Sequence, residues 1–239
     1  IHSTYLDNPF LHPAIVGAIE NYETDDPTYW KIYGLGLRGK RHGVIYPGWD
    51  LVPEFPAEIT DILYGMDFGF NDPKVLVKLG RQGKHLYLDE VFYQSEIIRE
   101  DFIKELKTQI PKEKWSDEMY ADSADPESIE AIYRAGFNIH PADKGPDSVQ
   151  QGIEELKSYS IHITQRSINV QRDFKNYKWK TDKNGNVLDV PIHAFSHSCD
   201  AVRYPVHTHW GKEYRHPTEK DAQTVIVEEM ESVSVSENY

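Results

Sequence analysis

A change of hydrophobic period near residue 96 is the feature that most constrains what this chain can fold into. Between residues 62 and 92 the apolar side chains fall in three short runs: Ile62-Leu63-Tyr64-Gly65-Met66-Asp67-Phe68-Gly69, Val75-Leu76-Val77-Lys78-Leu79 and His85-Leu86-Tyr87-Leu88-Asp89-Glu90-Val91-Phe92. Runs of this length, bounded by turn residues such as Arg81-Gln82-Gly83-Lys84, read as strands. Their connections are too short for a crossover, so the three strands form an antiparallel meander. From Glu96 to Ile110 the spacing turns helical through Ile97, Ile98, Phe102, Ile103, Leu106 and Ile110, and Pro111 closes the segment. Strands and helices then alternate. A strand at 118–122 precedes a helix from Asp125-Pro126 to Ala135, capped by Gly136. A strand at 137–140, a helix at 148–159 and a strand at 161–163 come next, then a helix at 170–179 with its basic residues outward. An Asn184-Gly185 hairpin turn and a final helix over 194–210, bent or broken at Pro205, complete the pattern. A meander followed by αβ units predicts an α/β fold: a mixed sheet, three strands antiparallel and the others parallel, with helices on both faces.

The flanks are less regular. Residues 1–60 read as loops with one short helix near Ala14–Tyr22, and Pro53 and Pro56 punctuate a boundary. Lys212–Tyr239 is polar apart from Val225-Ile226-Val227, and reads as a poorly ordered or partner-binding tail. No stretch of 18 apolar residues exists, which excludes a membrane-spanning helix. Ile1-His2-Ser3-Thr4 has neither a basic nor an apolar leader region, so no signal peptide is expected, and the missing initiator Met points to a fragment or a processed chain. A single cysteine, Cys199, excludes an internal disulfide and a cysteine-based zinc cluster, and the cytosol is the simple expectation.

The net charge of −13 argues at first against a nucleic-acid binder, but the charge is unevenly placed. Arg166 to Lys183 holds six basic residues and two acids, whereas the chain after Trp210 holds three bases and seven acids. Global acidity therefore leaves room for a local DNA-binding face, although a basic run is most often a solvated helix face. Gly34-Leu35-Gly36-Leu37-Arg38-Gly39-Lys40-Arg41 imitates a phosphate loop. It fails chemically, because Arg41 stands where a metal-binding Ser or Thr is needed and no helix follows.

Three acids resist an ordinary explanation. Asp67 lies in an apolar strand, Asp122 ends another, and Asp200 sits on the late helix beside Ala201 and Val202. Asp125, by contrast, is a helix N-cap. An ionised carboxylate in a buried strand is costly unless it is paired or on a metal. Carboxylates at the ends of adjacent strands, joined by a third from a helix, can converge on two divalent ions, the oxygen set that Mg²⁺ or Mn²⁺ requires. His197, three residues before Asp200 and so on its face, is the expected helper at this cluster. His193, His207 and His209 read as surface or core histidines.

These segments carry a resemblance. Gly65-Met66-Asp67-Phe68-Gly69 with Asp72-Pro73, Tyr120-Ala121-Asp122-Ser123-Ala124-Asp125-Pro126 and His197-Ser198-Cys199-Asp200-Ala201-Val202-Arg203-Tyr204 resemble, in order, the three nuclease motifs of the large terminase subunit of tailed double-stranded DNA phages. Lys144-Gly145-Pro146-Asp147-Ser148-Val149 and Tyr177-Lys178-Trp179-Lys180 fit the same pattern, and His2-Ser3-Thr4-Tyr5-Leu6-Asp7-Asn8-Pro9-Phe10-Leu11 resembles the segment closing the packaging ATPase. Two positions depart: Ser196 stands where the family usually has Asn, and Asp173 where it often has Glu, so either Asp173 or His197 would complete the outer metal shell. No Walker A, Walker B or arginine finger is present.

The resemblance implies an RNase H-like fold and a metal-dependent endonuclease that cuts concatemeric double-stranded DNA when packaging begins or ends. It implies two divalent metal ions, Mg²⁺ or Mn²⁺, on Asp67, Asp122 and Asp200, with Asp67 bridging both and His197 assisting. Its expected partners are double-stranded DNA, the phage portal protein and the small terminase subunit, with no membrane. It would act in the host cytoplasm, transiently docked on the procapsid. Residues 1–55 would be the end of the ATPase domain and a linker, 56–210 the nuclease and 211–239 an acidic tail. Lys74, Lys144, Lys178 and Lys180 are the expected DNA contacts, with the 182–187 hairpin bordering the DNA path. A non-cleaving DNA- or portal-binding module on the same fold, or a resolvase- or transposase-like nuclease, are the alternatives.

Overall fold

The computed structural model describes residues 4–11, 13–25, 30, 34–36, 43–69, 71–183 and 186–212. His2 and Ser3, residues 37–41 of the glycine-rich segment, Asn184-Gly185 and the tail from 213 onward lie outside them. Nine strands are described: β1 (Trp49–Val52), β2 (Asp61–Asp67), β3 (Lys74–Gln82), β4 (His85–Gln94), β5 (Met119–Ala121), β6 (Ile139–Pro141), β7 (Ser160–Thr164), β8 (Trp179–Thr181) and β9 (Val187–Pro191). The helices are α1 (Pro13–Asp25), α2 (Arg99–Gln109), α3 (Pro126–Arg134), α4 (Ser148–Lys157), α5 (Ile168–Asn176) and α6 (His197–Pro205). No helix among the described residues is long and apolar enough to cross a membrane.

Seven strands form one sheet in the order β1-β7-β4-β3-β2-β5-β6. The meander β2-β3-β4 is antiparallel, and every other pairing in this sheet is parallel. Alternation along β3 sends Val75, Val77 and Leu79 to one face and Leu76 to the other. The first face packs against Ile153 and Leu156 of α4, Val170 and Phe174 of α5 and Val202 of α6. The second packs against Phe102 and Leu106 of α2 and Ile132 of α3. Helices therefore cover both faces, as the sequence pattern requires.

Local chemistry moves several boundaries. α2 begins at Arg99 rather than 96 because Glu96 is left-handed, with φ 58°. α3 starts where Asp125 accepts from the Ser128 amide at 3.0 Å, with Pro126 in its first turn. The helix expected to reach Trp179 stops at Asn176. Tyr177 is extended there, because its carbonyl accepts from the Ile45 amide at 3.0 Å and the Trp179 amide donates to Gly43 at 2.8 Å. Trp179 accordingly opens β8, which pairs antiparallel with β9. Ile45 and Tyr46 are buried in the core and β1 closes one sheet edge, so residues ahead of the boundary expected at 55/56 belong to this sheet. α6 begins at His197, since Phe195 adopts φ 64°. Pro205 does not break it, and Val206–Trp210 continue as a wider π-helical turn.

One close approach fixes how α6 meets the sheet. A Cβ on Gly65 would stand 1.8 Å from the Ala201 carbonyl oxygen, so α6 crosses β2 backbone to backbone. That carbonyl lies four residues before Pro205, which has no N–H to offer it. Gly65 and Asp67 share a strand face, so the residue that admits α6 also turns Asp67 toward it.

Candidate metal centre

Asp67 is the last residue of β2, and β5 runs parallel beside it. Just past the end of β5 the Asp122 amide donates to the Met66 carbonyl at 3.2 Å, which sets the second acid next to the first. Asp122 then accepts from the Ala124 amide at 2.8 Å and pairs with Lys144. α6 supplies the third wall. His197, Asp200 and Tyr204 recur at spacings of three and four, the period of one helix face. His197 Nδ1 lies 3.1 Å from Asp67 Oδ2, and the Tyr204 hydroxyl donates to Asp67 Oδ1 at 3.4 Å. Arg203 holds Asp200 with bonds of 2.8 and 3.2 Å from Nη2 and Nε.

The electrostatics are those of crowded carboxylates. Burial pushes the Asp67 carboxyl up to about 6; the His197 hydrogen bond opposes this, while Asp200 and Asp122 add to it. His197 is itself raised, chiefly by its bond to Asp67 and against the effect of its burial. Burial, reinforced by Asp67, Asp200 and Asp122, raises the Tyr204 hydroxyl. Asp67 thus stands buried, under the electrostatic influence of Asp200 and Asp122 and with an imidazole beside it, and carboxylate oxygens of this kind are the donors that hard divalent cations favour.

The other expected residues are placed differently. The Lys74 ammonium donates to the Gly69 carbonyl, and burial lowers its pKa. It lines a cleft of about 270 Å³ with Phe68, Gly69, Asp122, Ala124 and Asp125. Lys178 and Lys180 lie at and in β8, outside the acid cluster. Their hairpin is tied instead to α4, through Gln150 to Asp189 at 2.8 Å and Lys157 over the Trp179 ring at 5.5 Å. Asp173 is fully buried. It accepts from the Ser198 hydroxyl at 2.7 Å, the Ser198 amide and the Tyr93 hydroxyl at 3.3 Å, and Arg172 at 2.9 Å. It fixes the first turn of α6, whereas His197 touches Asp67 directly.

Sequence spacing assigns no role to Tyr204, Arg203 or Asp72, and it makes His193 a surface or core residue. Tyr204 is detectable in principle, since it lies seven residues after His197 on one helical face. Asp72 and His193 are not, because both sit in loops where no periodicity applies. The structure brings them together at the mouth of the site, where Asp72 lies 3.6 Å from His193 Nε2 and 3.7 Å from His197 Nε2.

A mixed sheet of this order, with acids at the ends of two adjacent parallel strands and on the helix crossing them, defines an RNase H-like nuclease fold. Residues 67–208 match the family described as Terminase RNAseH like domain, and the chain belongs to that family. The large terminase subunit of Bacillus phage SPP1 is 32% identical over 221 residues, covering 85% of this chain and 50% of that protein. The PBSX phage terminase large subunit of Bacillus subtilis strain 168 is 28% identical over 214 residues, covering 85% and 49%. The chain thus spans about half the length of the curated relatives it matches. Among solved structures, the SPP1 large terminase nuclease domain with bound Mn aligns with a TM-score of 0.58 at 25% identity, over 66% of this chain and 95% of that one. The large terminase of a thermophilic bacteriophage shares the fold at a TM-score of 0.57 and 20% identity, over 88% and 55%.

Proposed function

We propose that this domain is a metal-dependent endonuclease of a phage DNA-packaging terminase. It would hydrolyse phosphodiester bonds of concatemeric double-stranded DNA at the start and end of packaging, using two divalent ions, Mg²⁺ or Mn²⁺. The observation that supports the reading is buried Asp67 at the end of β2, whose carboxyl is raised in part by Asp200 of α6 and by Asp122 just past β5. A protein that only held DNA would have no use for clustered carboxylates facing a phosphate polyanion. The Mn in the SPP1 nuclease domain supports the cofactor class.

Asp67, Asp122 and Asp200 would hold the ions, which when bound supply an activated water and charge stabilisation at the leaving 3′ oxygen. Asp67 lies between the other two acids in their electrostatic influence and is the bridging candidate. His197 and Tyr204 each occupy one of its oxygens and fix the direction in which its remaining lone pairs point. Arg203 aims Asp200 and offsets its charge. Lys74, Lys144, Lys178 and Lys180 would meet the DNA backbone, Lys144 by exchanging Asp122 for a phosphate.

In the whole protein this unit would follow the packaging ATPase, whose end and linker would fall within residues 1–55, ahead of Ile45, Tyr46 and β1, which join the nuclease core and sheet. Residues 56–210 would be the nuclease and 211–239 an acidic tail. Its partners would be the portal and the small terminase subunit, in the host cytoplasm on the procapsid. The test is plasmid cleavage in Mg²⁺, Mn²⁺, Ca²⁺ or EDTA by wild type, Asp67→Ala and Asp200→Ala. Nicking by wild type alone, in Mg²⁺ or Mn²⁺, is expected. Full cleavage by Asp200→Ala overturns the three-carboxylate site, and DNA binding without cleavage in any metal returns the reading to a binding module.

A further inference from the structure

The mouth of the acid cluster holds a second set of potential ligands, of which the nuclease reading uses only His197, and that only through its bond to Asp67. Asp72, in the loop after β2, His193, in the loop after β9, and His197, at the start of α6, present three potential ligand atoms within 4.8 Å of one another. Asp72 Oδ2 is 3.6 Å from His193 Nε2, and Asp72 Oδ1 is 3.7 Å from His197 Nε2. The two imidazoles meet edge to face at 5.5 Å. Among the described residues no Lys or Arg pairs with Asp72, so the two imidazoles are what face its charge.

The hydrogen bond on the far side of His197 decides the chemistry. Asp67, once ionised, can only accept, so the proton at the 3.1 Å contact belongs to His197 Nδ1. In the neutral ring Nε2 then carries the lone pair, and Nε2 is the nitrogen turned to Asp72 and His193. A carboxylate fixing the tautomer of a histidine whose other nitrogen faces a shared space is the arrangement that orients metal-binding histidines. Two imidazole nitrogens and one carboxylate suit borderline cations such as Zn²⁺ or Co²⁺, whereas all-oxygen sets suit Mg²⁺ and Mn²⁺.

We propose that Asp72, His193 and His197 form a separate site for a borderline divalent cation, Zn²⁺ in the first place, which clamps the loop before α6 to the loop after β2. The site is distinct in ligands from the Asp67–Asp122–Asp200 set and shares with it only the Asp67–His197 hydrogen bond. A Zn²⁺ ion there commits His197 and closes the mouth of the acid cluster, so it acts on the nuclease as an inhibitor rather than a cofactor.

The experiment is calorimetric titration of Zn²⁺, and of Co²⁺ followed by visible absorbance, into the protein in millimolar Mg²⁺. Wild type, His193→Ala, Asp72→Ala and Asp122→Asn are compared. His193 and Asp72 side chains are 80% and 59% exposed, so their replacement leaves the fold intact, which thermal melts verify. One Zn²⁺ per chain is expected in wild type and in Asp122→Asn. In His193→Ala and Asp72→Ala the affinity should fall by more than the roughly 10- to 100-fold typical of a lost outer-shell partner. Co²⁺ absorbance should report nitrogen ligation that disappears in His193→Ala. Equal Zn²⁺ affinity in wild type and His193→Ala overturns the site, and so does loss of the bound ion in Asp122→Asn alone, which would put Zn²⁺ among the carboxylates. These readouts need no DNA cleavage, so they stand or fall apart from the nuclease reading. If the protein nicks DNA, Zn²⁺ inhibition in excess Mg²⁺ should weaken at least tenfold in His193→Ala.

Discussion

In metal-free protein Asp67 should act as a destabilising charge, and Asp67→Asn should remove that penalty in a pH-dependent way. Its carboxyl moves from 3.8 to about 6 on folding, mainly through burial. Each unit corresponds to 1.36 kcal/mol, so the ionised folded state gives up about 3 kcal/mol relative to the protonated one. Because the folded pKa lies above the unfolded one, this stability is fully present below 3.8 and is lost as pH rises through 6. Roughly half is gone by pH 5 and nearly all by pH 8. His197 works in the same direction, since its raised pKa gives stability that is present below 6.5 and fades as pH rises through the folded value. Asn keeps the shape and an acceptor for His197 but cannot ionise. Urea unfolding in EDTA should therefore show Asp67→Asn gaining on wild type by about 1–2 kcal/mol between pH 5 and pH 8. At pH 8, Mn²⁺ at 100 times its dissociation constant should return about 2.7 kcal/mol to wild type and nothing to Asp67→Asn. A stability difference that is the same at pH 5 and pH 8 would refute the claim that Asp67 is a desolvated acid among like charges. An equal Mn²⁺ gain in both proteins would refute its role as a ligand.

Gly65→Ala places a methyl 1.8 Å from the Ala201 carbonyl, so α6 must lift from β2. A loss of about 1–3 kcal/mol or more in urea, together with a smaller Mn²⁺-induced rise in melting temperature, is expected from such overpacking. Ser198→Ala deletes the 2.7 Å bond to buried Asp173 and should cost about 1–3 kcal/mol by chemical denaturation, with the Asp67 hydrogen bonds intact. Changing Lys178 and Lys180 together to Ala should weaken DNA binding equally on every sequence. It should also lower the salt slope by about 0.9 for each phosphate no longer neutralised; an unchanged slope in a filter-binding titration would place the DNA path elsewhere.

Much of this architecture is legible in the sequence because it is written in periodicity. The meander, the alternation after Gln94 and the acids at strand ends follow from which residues are apolar and how they are spaced. Position-specific backbone geometry is not legible. Glu96 and Phe195 take left-handed conformations that a hydrophobic pattern does not encode, and each delays a helix by about one turn. The strand β1 escapes notice because Trp49-Asp50-Leu51-Val52 is a short edge strand whose burial is partial, so it shows no alternation. The end of α5 departs from its apolar spacing because tertiary pairing with Gly43 and Ile45 overrides a sequence that could have stayed helical. At the site, Asp67, Asp122, Asp200 and His197 stand out because carboxylates in apolar surroundings need a reason. Asp72 and His193 do not, since an exposed loop acid and an exposed loop histidine look ordinary until the fold sets them side by side.

The hydrogen bond between Asp67 and His197 joins residues 130 positions apart in the chain. During synthesis β2 and β5 can pair long before α6 exists, and closing so long a loop is among the slower events of folding. A chain cut short before residue 197 carries two of the three acids, neither His197 nor Tyr204, and a bare Gly65 groove where α6 should lie. The acid cluster is therefore completed only when the last helix docks. If the cluster is the metal centre proposed above, the timing of biosynthesis would itself keep unfinished copies from presenting it, assembled, to nearby DNA.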